Sequence, residues 1–221
     1  MSSFVLKIIA VISMLIDHSG YLIFNGFSFM NYIGRLAFPI FAFLITEGYI
    51  HTSNLKKYFY RLLIFAVISQ IPYTLLFPGN FGLNTLFTLA LGLLSLTVYC
   101  KLNNKFLGTL FVILSAILSH FLHLDYGWFG IISIFIFYIF KEKKIYMNIS
   151  FIFTTFIYYF YYFLSTSALE YLIIIPCCLL TLIPINLYNG KKGKNVKYFL
   201  YLFYPLHLIL LYIMKLFLQF T

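Results

Sequence analysis

The chain has 221 residues, of which 63% are hydrophobic and only 9% are charged, and its mean hydropathy is +0.98. Because soluble domains carry about 25% charged residues, this composition excludes a water-soluble globular protein. The net charge of +10 comes from short basic clusters between apolar runs, a distribution that favours an anionic lipid surface over a nucleic-acid partner.

Nine apolar runs follow one another along the chain. Each is roughly 15–22 residues long, against about 20 needed for a membrane-spanning helix. They lie near residues 3–24, 33–50, 57–77, 82–100, 106–122, 126–140, 146–165, 168–186 and 197–218. The first run has no convincing small-residue cleavage site and is expected to be a retained helix. The pattern predicts an all-α fold, a polytopic integral membrane helical bundle of about nine transmembrane helices, in a single domain over residues 1–221.

The basic residues predict the orientation of these helices. Of the 15 Lys and Arg residues, 13 fall on one predicted side: Lys7, Lys56, Lys57, Arg61, Lys101, Lys105, Lys141, Lys143, Lys144, Lys191, Lys192, Lys194 and Lys197. By the positive-inside rule this side is cytosolic, so the N-terminus is expected in the cytosol and the C-terminus outside. The lysine-, asparagine- and isoleucine-rich composition is typical of a low-GC bacterium, whose cytoplasmic membrane is the expected location.

Asp17 and His18 are the most informative ionisable residues, because a charged group inside a span costs from about 2.5 kcal/mol upward. They fall well inside the first run, in its predicted outer half. A carboxylate beside an imidazole suits general-base catalysis. Adjacent helical residues point about 100° apart, so a direct hydrogen bond between the two is not expected. The alternative interpretation is a buried pair that only joins helices.

Lys7 and His18 are predicted to share one face of the first helix. Ten residues separate them, and eleven steps make about three turns, or roughly 16 Å. A cation at the cytosolic end and a base within the membrane would suit an anionic cytosolic donor whose reactive end enters the bilayer. The alternative for Lys7 is an ordinary flanking residue of the positive-inside pattern.

Further polar residues at comparable depths in other runs could line one pocket that opens outward. They are Arg35, Ser69, Gln70, Asn84, Thr85, Thr88, His120, His123, Asp125, Trp128 and His207. Helix-to-helix contacts are the simpler interpretation for the hydroxyls, and an interfacial anchor suits Trp128 equally well. His120 and His123 lack a third ligand at metal spacing, so no metal site is predicted. Glu47, near the cytosolic end of its run, is expected to pair with a lysine or to face the donor.

Several stretches of the chain, in order, resemble the TraX-like family, named for the conjugation protein that acetylates the N-terminus of F pilin. They are LKIIAVISMLIDHSG, GRLAFPIFAFLITEGYIHTSN, RLLIFAVISQIPY, LNTLFTLALGLL, HLDYGWFGI and YPLHL. More distantly, the layout is similar to multispan acetyltransferases such as heparan-α-glucosaminide N-acetyltransferase. Membrane O-acyltransferases of this superfamily carry a basic residue about ten positions before a first-helix His, which here corresponds to Lys7 and His18. Lys replaces the commoner Arg, so bidentate phosphate binding is not expected there.

The resemblance implies an acyltransferase that moves an acyl group, in the first place acetyl, from cytosolic acetyl-CoA to an amine or hydroxyl at or outside the membrane. The residues expected to be catalytic are His18, Asp17, Asp125 and His207. The residues expected to bind the substrate or the oxyanion are Arg35, Gln70, Asn84, Glu47 and Trp128. The residues expected to attract the phosphates of CoA are Lys7, Lys56 and Lys57.

Two other classes of protein remain open at this point. A proton-coupled transporter of a small solute or lipid would also use intramembrane Asp and His, although no inverted repeat is visible. A structural assembly subunit would need no chemistry at all. The acceptor, whether peptide, glycan or lipid, and the oligomeric state are not predicted.

Overall fold

A computed structural model describes residues 1–24, 28–79, 81–194 and 196–219. Their helices are α1 (Ser3–Phe24), α2 (Phe29–Gly34), α3 (Ala37–His51), α4 (Leu55–Leu76), α5 (Thr85–Lys101), α6 (Lys105–Phe121), α7 (Gly127–Ile139), α8 (Lys144–Thr166), α9 (Glu170–Leu179), α10 (Leu182–Asn186) and α11 (Lys197–Gln219). The only β pairing among these residues is an isolated bridge between Leu83 and Leu124. The all-α prediction is confirmed.

Two of the predicted runs contain a break between two helices, and in both cases a proline contributes to the break. Proline lacks an N–H, and its ring collides with the carbonyl of the residue four positions earlier. Pro39 stands four residues after Arg35, where α2 gives way to α3, and Pro184 stands four residues after Leu180, where α9 gives way to α10. In each of these two runs a two-residue turn, at 35–36 or at 180–181, separates the helices.

Among the described residues, five helical segments are long and apolar enough to cross a membrane: Ser3–Phe24, Phe29–His51, Leu55–Leu76, Lys144–Thr166 and Tyr198–Leu218. The remaining apolar segments, Thr85–Lys101, Lys105–Phe121, Gly127–Ile139 and Glu170–Asn186, are shorter. Large apolar side chains are exposed on these helices, for example Ile71 at 69% and Phe106 at 74%, as a lipid-facing surface requires. The chain is a membrane protein, while the count of nine spans and the orientation of the termini stay predictions.

The helices form two compact units. Unit 1 comprises Met1–Glu47 and Ile132–Asn195, and unit 2 comprises Gly48–Ile131 and Val196–Thr221. The prediction of a single domain stays a prediction, and each unit is described by itself below.

The core of unit 1 is aromatic. Phe137 is fully buried and stacks on Phe151 with ring centroids 5.2 Å apart, while Phe43 meets it edge-on at 5.7 Å. Thr46 hydroxyl donates to the carbonyl oxygen of Ile134 at 3.1 Å, which satisfies a buried polar group inside this core. α2 packs on α1 and on α9 in the same unit.

In unit 2, α4 packs against both α5 and α11, and α5 also packs against α6. A small residue makes one of these approaches possible, because a Cβ at Gly108 would lie 2.9 Å from the Tyr99 ring. Lys215 on α11 donates to the carbonyl oxygen of Leu76 at 3.3 Å, a group at the C-terminal end of α4 that has no partner within its own helix. These helices carry the second group of candidate residues.

Candidate functional site

In unit 1, Asp17 lies at the centre of a polar cluster that also contains His18, Asn31 and Arg35, called the Asp17 cluster below. One carboxylate oxygen, Oδ1, accepts hydrogen bonds from Arg35 Nη2 at 2.9 Å and from Asn31 Nδ2 at 2.9 Å. The other, Oδ2, lies 4.0 Å from His18 Nε2, beyond hydrogen-bond distance, as helical geometry predicts. The side chains of Asp17 and His18 are only 13% and 12% exposed, so the pair is largely shielded from solvent.

Asn31 was missed by the sequence analysis, yet it holds this cluster in position. It is fully buried at the start of α2, and its Oδ1 accepts hydrogen bonds from the Ser28 backbone at 2.6 Å and the Ser28 hydroxyl at 3.1 Å. Its Nδ2 donates to the Asp17 carbonyl as well as to the carboxylate. Both ends of the amide are thus fixed, and the Asp17 carboxylate is oriented by a rigid donor.

Gly34 allows α2 to approach α1 at this point. A Cβ at Gly34 would overlap the Asp17 carboxylate. Gly20, one turn along α1, lies equally close to side chains at the start of α2, since a Cβ there would be 2.8 Å from Met30 Cβ. The chain then brings Arg35, the next residue after Gly34, onto Asp17, and Arg35 Nε donates to the Asn31 carbonyl at 3.1 Å. The guanidinium is therefore held between α1 and α2.

In unit 2, Asp125 lies beside the N-terminal ends of α5 and α7. Its Oδ2 accepts a hydrogen bond from the Thr85 hydroxyl at 2.5 Å, and its backbone carbonyl accepts one from the Thr88 hydroxyl at 2.5 Å. Its backbone N–H donates to the Leu83 carbonyl at 2.9 Å. A carboxylate is stabilised near helix N-termini by the helix dipole, so a structural role accounts for these contacts.

The connection that carries Asp125 is strained. His123 and Tyr126 have φ values of 49° and 61°, a left-handed conformation that is costly for residues with large side chains. Such conformations persist where the surrounding structure fixes them, often at functional sites. The backbone around Asp125 is therefore held in a defined but unfavourable geometry.

Tyr204 connects Asp125 with His207, a second link that sequence reasoning missed. Its hydroxyl interacts with Thr85, whose own hydroxyl binds Asp125, and its ring lies 5.6 Å from the His207 ring. His207 Nδ1 lies 2.8 Å from the Phe203 carbonyl oxygen, which can only accept, so this nitrogen carries the hydrogen. In the neutral ring the basic nitrogen is therefore Nε2. The two predicted residues Asp125 and His207 belong to one cluster with Tyr204.

Gln70 and Asn84 form a clamp between α4 and the start of α5. Asn84 is fully buried, and its Nδ2 donates to the Gln70 side-chain oxygen and to the Ala66 carbonyl, both at 2.8 Å. Gln70 Nε2 donates in turn to the Gly82 carbonyl at 3.0 Å. Both hydrogens of the Asn84 amide are used, so donation to an oxyanion would require breaking one of these bonds. The clamp favours a structural role for both residues.

Replacing Asn84 with Ala should lower the free energy of unfolding by about 1–3 kcal/mol, because the Gln70 oxygen and the Ala66 carbonyl would lose buried donors. The measurement is denaturant unfolding of the purified protein in detergent micelles. Asn104→Ala is the matched control, since Asn84 caps the N-terminus of α5 and Asn104 caps that of α6 from an exposed position. A cost for Asn84→Ala no larger than the control's would contradict the clamp.

The residues predicted to attract CoA phosphates lie in different parts of the chain. Lys7 is half-buried in α1 of unit 1, whereas Lys56 and Lys57 are exposed in the first turn of α4 in unit 2. Further along α4, the guanidinium of Arg61 lies 6.0 Å from the Tyr58 ring and 5.9 Å from the Tyr201 ring. Its Nε is buried and has no hydrogen-bond partner among the described residues.

The two remaining candidates are Glu47 and Trp128. Glu47 accepts a hydrogen bond from the Tyr188 hydroxyl at 2.7 Å. Burial, together with this carboxylate, raises the pKa of Tyr188, so the phenol stays protonated and keeps donating. Trp128 is half-buried in the first turn of α7.

Comparison with known proteins assigns the chain to a family. A family model described as TraX protein matches residues 2–215. A probable fimbrial assembly protein, FimC of serogroup H1, from Dichelobacter nodosus is 30% identical over 245 residues, covering 99% of this chain and 97% of that protein. An uncharacterized protein of Rickettsia prowazekii (strain Madrid E) is 39% identical over 87 residues, covering 39% of this chain and 33% of that protein. No solved structure matches the chain.

The family match spans nearly the whole sequence, and it includes both the Asp17 cluster and the Asp125 connection. The FimC relative likewise aligns almost end to end with this chain. The chain belongs to the TraX protein family.

Proposed function

We propose that this membrane protein is an acyltransferase that moves an acetyl group from cytosolic acetyl-CoA to an amine at or outside the membrane, in the first place the N-terminus of a pilus or fimbrial subunit. The observation that carries the proposal is the Asp17 cluster, in which a shielded imidazole stands beside a carboxylate that is held by two donors. The acceptor class is taken from the family and from the relative named as a fimbrial assembly protein.

The reaction needs one proton acceptor. The acceptor nitrogen attacks the carbonyl carbon of the thioester, His18 takes the proton that this nitrogen loses, and the bond between carbon and sulfur breaks to release CoA. The sulfur then takes up the proton from His18, which restores the neutral ring. A side chain that is 12% exposed limits the access of water, which would otherwise hydrolyse the thioester.

Asp17 and Arg35 support His18 without exchanging protons with the substrate. Asp17 Oδ1 accepts two hydrogen bonds, one of them from the cationic guanidinium of Arg35, so this oxygen is committed to holding the cluster together. The second oxygen of Asp17, 4.0 Å from His18 Nε2, stabilises the imidazolium that forms during the reaction. The contact of Arg35 with Asp17 favours a charge-balancing role over the oxyanion role predicted from the sequence.

Lys7 belongs to the donor side of the same mechanism. It lies on α1 about three turns from His18, which is roughly 16 Å along the helix axis. In CoA the pantetheine arm separates the charged phosphates from the thioester by a similar distance. Lys7 can therefore bind the phosphates while His18, on the same helix, lies at the thioester.

The test is acetyl transfer by the purified protein in lipid nanodiscs, with acetyl-CoA labelled in the acetyl group. Peptides with a free N-terminus and the same peptides with a blocked N-terminus serve as acceptor and control. Label in the free peptide alone is expected. If wild-type protein yields no labelled peptide, sugar or lipid product, the enzyme proposal is wrong, and solute uptake driven by a proton gradient in proteoliposomes would then support the transporter alternative.

A further inference from the structure

The segment between α10 and α11 is bound to the start of α1 through backbone hydrogen bonds. Asn189 N–H donates to the Met1 carbonyl at 2.9 Å, Ser3 N–H donates to the Lys191 carbonyl at 2.8 Å, and Phe4 N–H donates to the Lys192 carbonyl at 3.1 Å. All of these residues belong to unit 1. Residues 1–4 and 189–193 are called the clasp below.

Gly193 is required by the geometry of the clasp. Its φ of +68° is a conformation that L side chains rarely adopt. A Cβ at this position would also lie 2.8 Å from Phe4 Cβ and 2.8 Å from Ser2 Oγ. The close approach between this segment and the start of α1 therefore depends on glycine.

The clasp brings positive charges together. Lys192 lies close enough to Lys7 for their charges to repel each other, and Lys191 and Lys192 are both exposed. Phe4 and Lys7 are three residues apart on α1 and share one face of the helix, so the clasp lies over the face that carries Lys7. No carboxylate in the described part of the chain forms an ion pair with Lys7, Lys191 or Lys192.

The clasp already occupies the first N–H groups of α1. The N–H groups of Ser3 and Phe4, which would otherwise point out of the helix start, bind the carbonyls of Lys191 and Lys192. A ligand at this place would therefore meet ammonium groups, together with the positive end of the α1 dipole. Like charges held together by the backbone repel one another, and an anion with several negative oxygens relieves that repulsion.

We propose that the clasp is the binding site for the phosphate groups of the acyl donor, with Lys7, Lys191 and Lys192 as the residues that bind them. The inference rests on the proposed function, because it takes CoA as the donor. It adds to the sequence prediction two lysines, Lys191 and Lys192, that lie far from Lys7 in the chain. It also places the phosphate site in unit 1 and not at the exposed Lys56 and Lys57 of unit 2. The exposed ammonium groups of Lys191 and Lys192 suit CoA's 3′-phosphate and diphosphate.

The experiment measures binding of CoA, 3′-dephospho-CoA and pantetheine by calorimetry, using the full chain in nanodiscs of uncharged lipid. The variants are Lys191→Gln/Lys192→Gln and, as a control that removes the same charge from another exposed part of unit 1, Lys141→Gln/Lys143→Gln. We expect the first variant to weaken CoA binding at least about tenfold and to reduce the preference for CoA over pantetheine. We expect the control to stay within about twofold of wild type.

Gly193→Ala is a second variant that keeps every lysine but opens the clasp, and it should weaken CoA binding in the same direction. Unchanged affinity in Lys191→Gln/Lys192→Gln, or equal losses in that variant and the control, would overturn the proposal. An effect that appears only in discs of anionic lipid would also overturn it, because the lysines would then serve a lipid headgroup.

The two proposals fail in different ways. If wild-type protein binds CoA through these lysines but transfers no acetyl group, the clasp site stands and the transferase proposal falls. If wild-type protein transfers acetyl groups with a KM for acetyl-CoA that Lys191→Gln/Lys192→Gln does not raise, the transferase proposal stands and the clasp site is wrong.

Discussion

A His18→Gln variant is expected to transfer acetyl groups about 10²–10⁴ times more slowly than wild type, the usual contribution of a general base. Glutamine retains hydrogen-bonding groups in a side chain of comparable length but has no nitrogen that accepts a proton at neutral pH. The loss should appear in kcat, with little change in the KM for acetyl-CoA, because His18 acts in the chemical step rather than on the phosphates.

The measurement is initial rates of labelled acetyl transfer at several acetyl-CoA concentrations. His51→Gln is the matched control, since His51 is the exposed last residue of α3, and it should retain activity within about twofold. Wild-type kcat in His18→Gln would remove His18 from the mechanism. Loss of CoA binding in this variant would instead indicate that His18 serves to hold the structure.

The positions of the helices could be predicted from the sequence, because each apolar run is a local property of the chain. The breaks near Arg35 and Leu180 could not. Prolines at 72 and 205 lie inside unbroken α4 and α11, whereas those at 39 and 184 follow the last residues of α2 and α9 by five positions, so proline alone does not identify a break. Whether a helix breaks near a proline depends on whether tertiary packing supports a continuous helix.

The candidate site, like the helices, could be predicted only in part from the sequence. Asp17 and His18 were identified because polar residues in an apolar run are conspicuous, and the helical period predicts which residues share a face. Their partners depend on contacts between separate elements: Arg35 is 18 positions from Asp17, and the pair Thr85 and Asp125 spans 40 positions. Periodicity carries no information about which faces meet, so the role of Asn31 was not visible.

Breaking the Asp17–Arg35 ion pair is expected to lower the free energy of unfolding strongly. Asp17→Asn alone, or Arg35→Gln alone, leaves one charge without its partner in a site where both side chains are at most 15% exposed. Breaking a buried ion pair in this way costs about 3–5 kcal/mol of unfolding free energy. Glu142→Gln is the control, because Glu142 pairs with Lys141 at 3.7 Å but is 83% exposed, and such surface pairs contribute about 0–1 kcal/mol.

The double variant Asp17→Asn/Arg35→Gln separates stability from catalysis. With no unpaired charge left, it should recover most of the stability that either single variant loses, as measured by denaturant unfolding in detergent micelles. Acetyl transfer should not recover, because no negative charge remains beside His18 to stabilise the imidazolium. A double variant as unstable as the two single variants together would mean that the ion pair is not what stabilises this contact between α1 and α2. A stable double variant with wild-type kcat would show that the Asp17 charge has no part in the reaction, and His18 would then have to act alone.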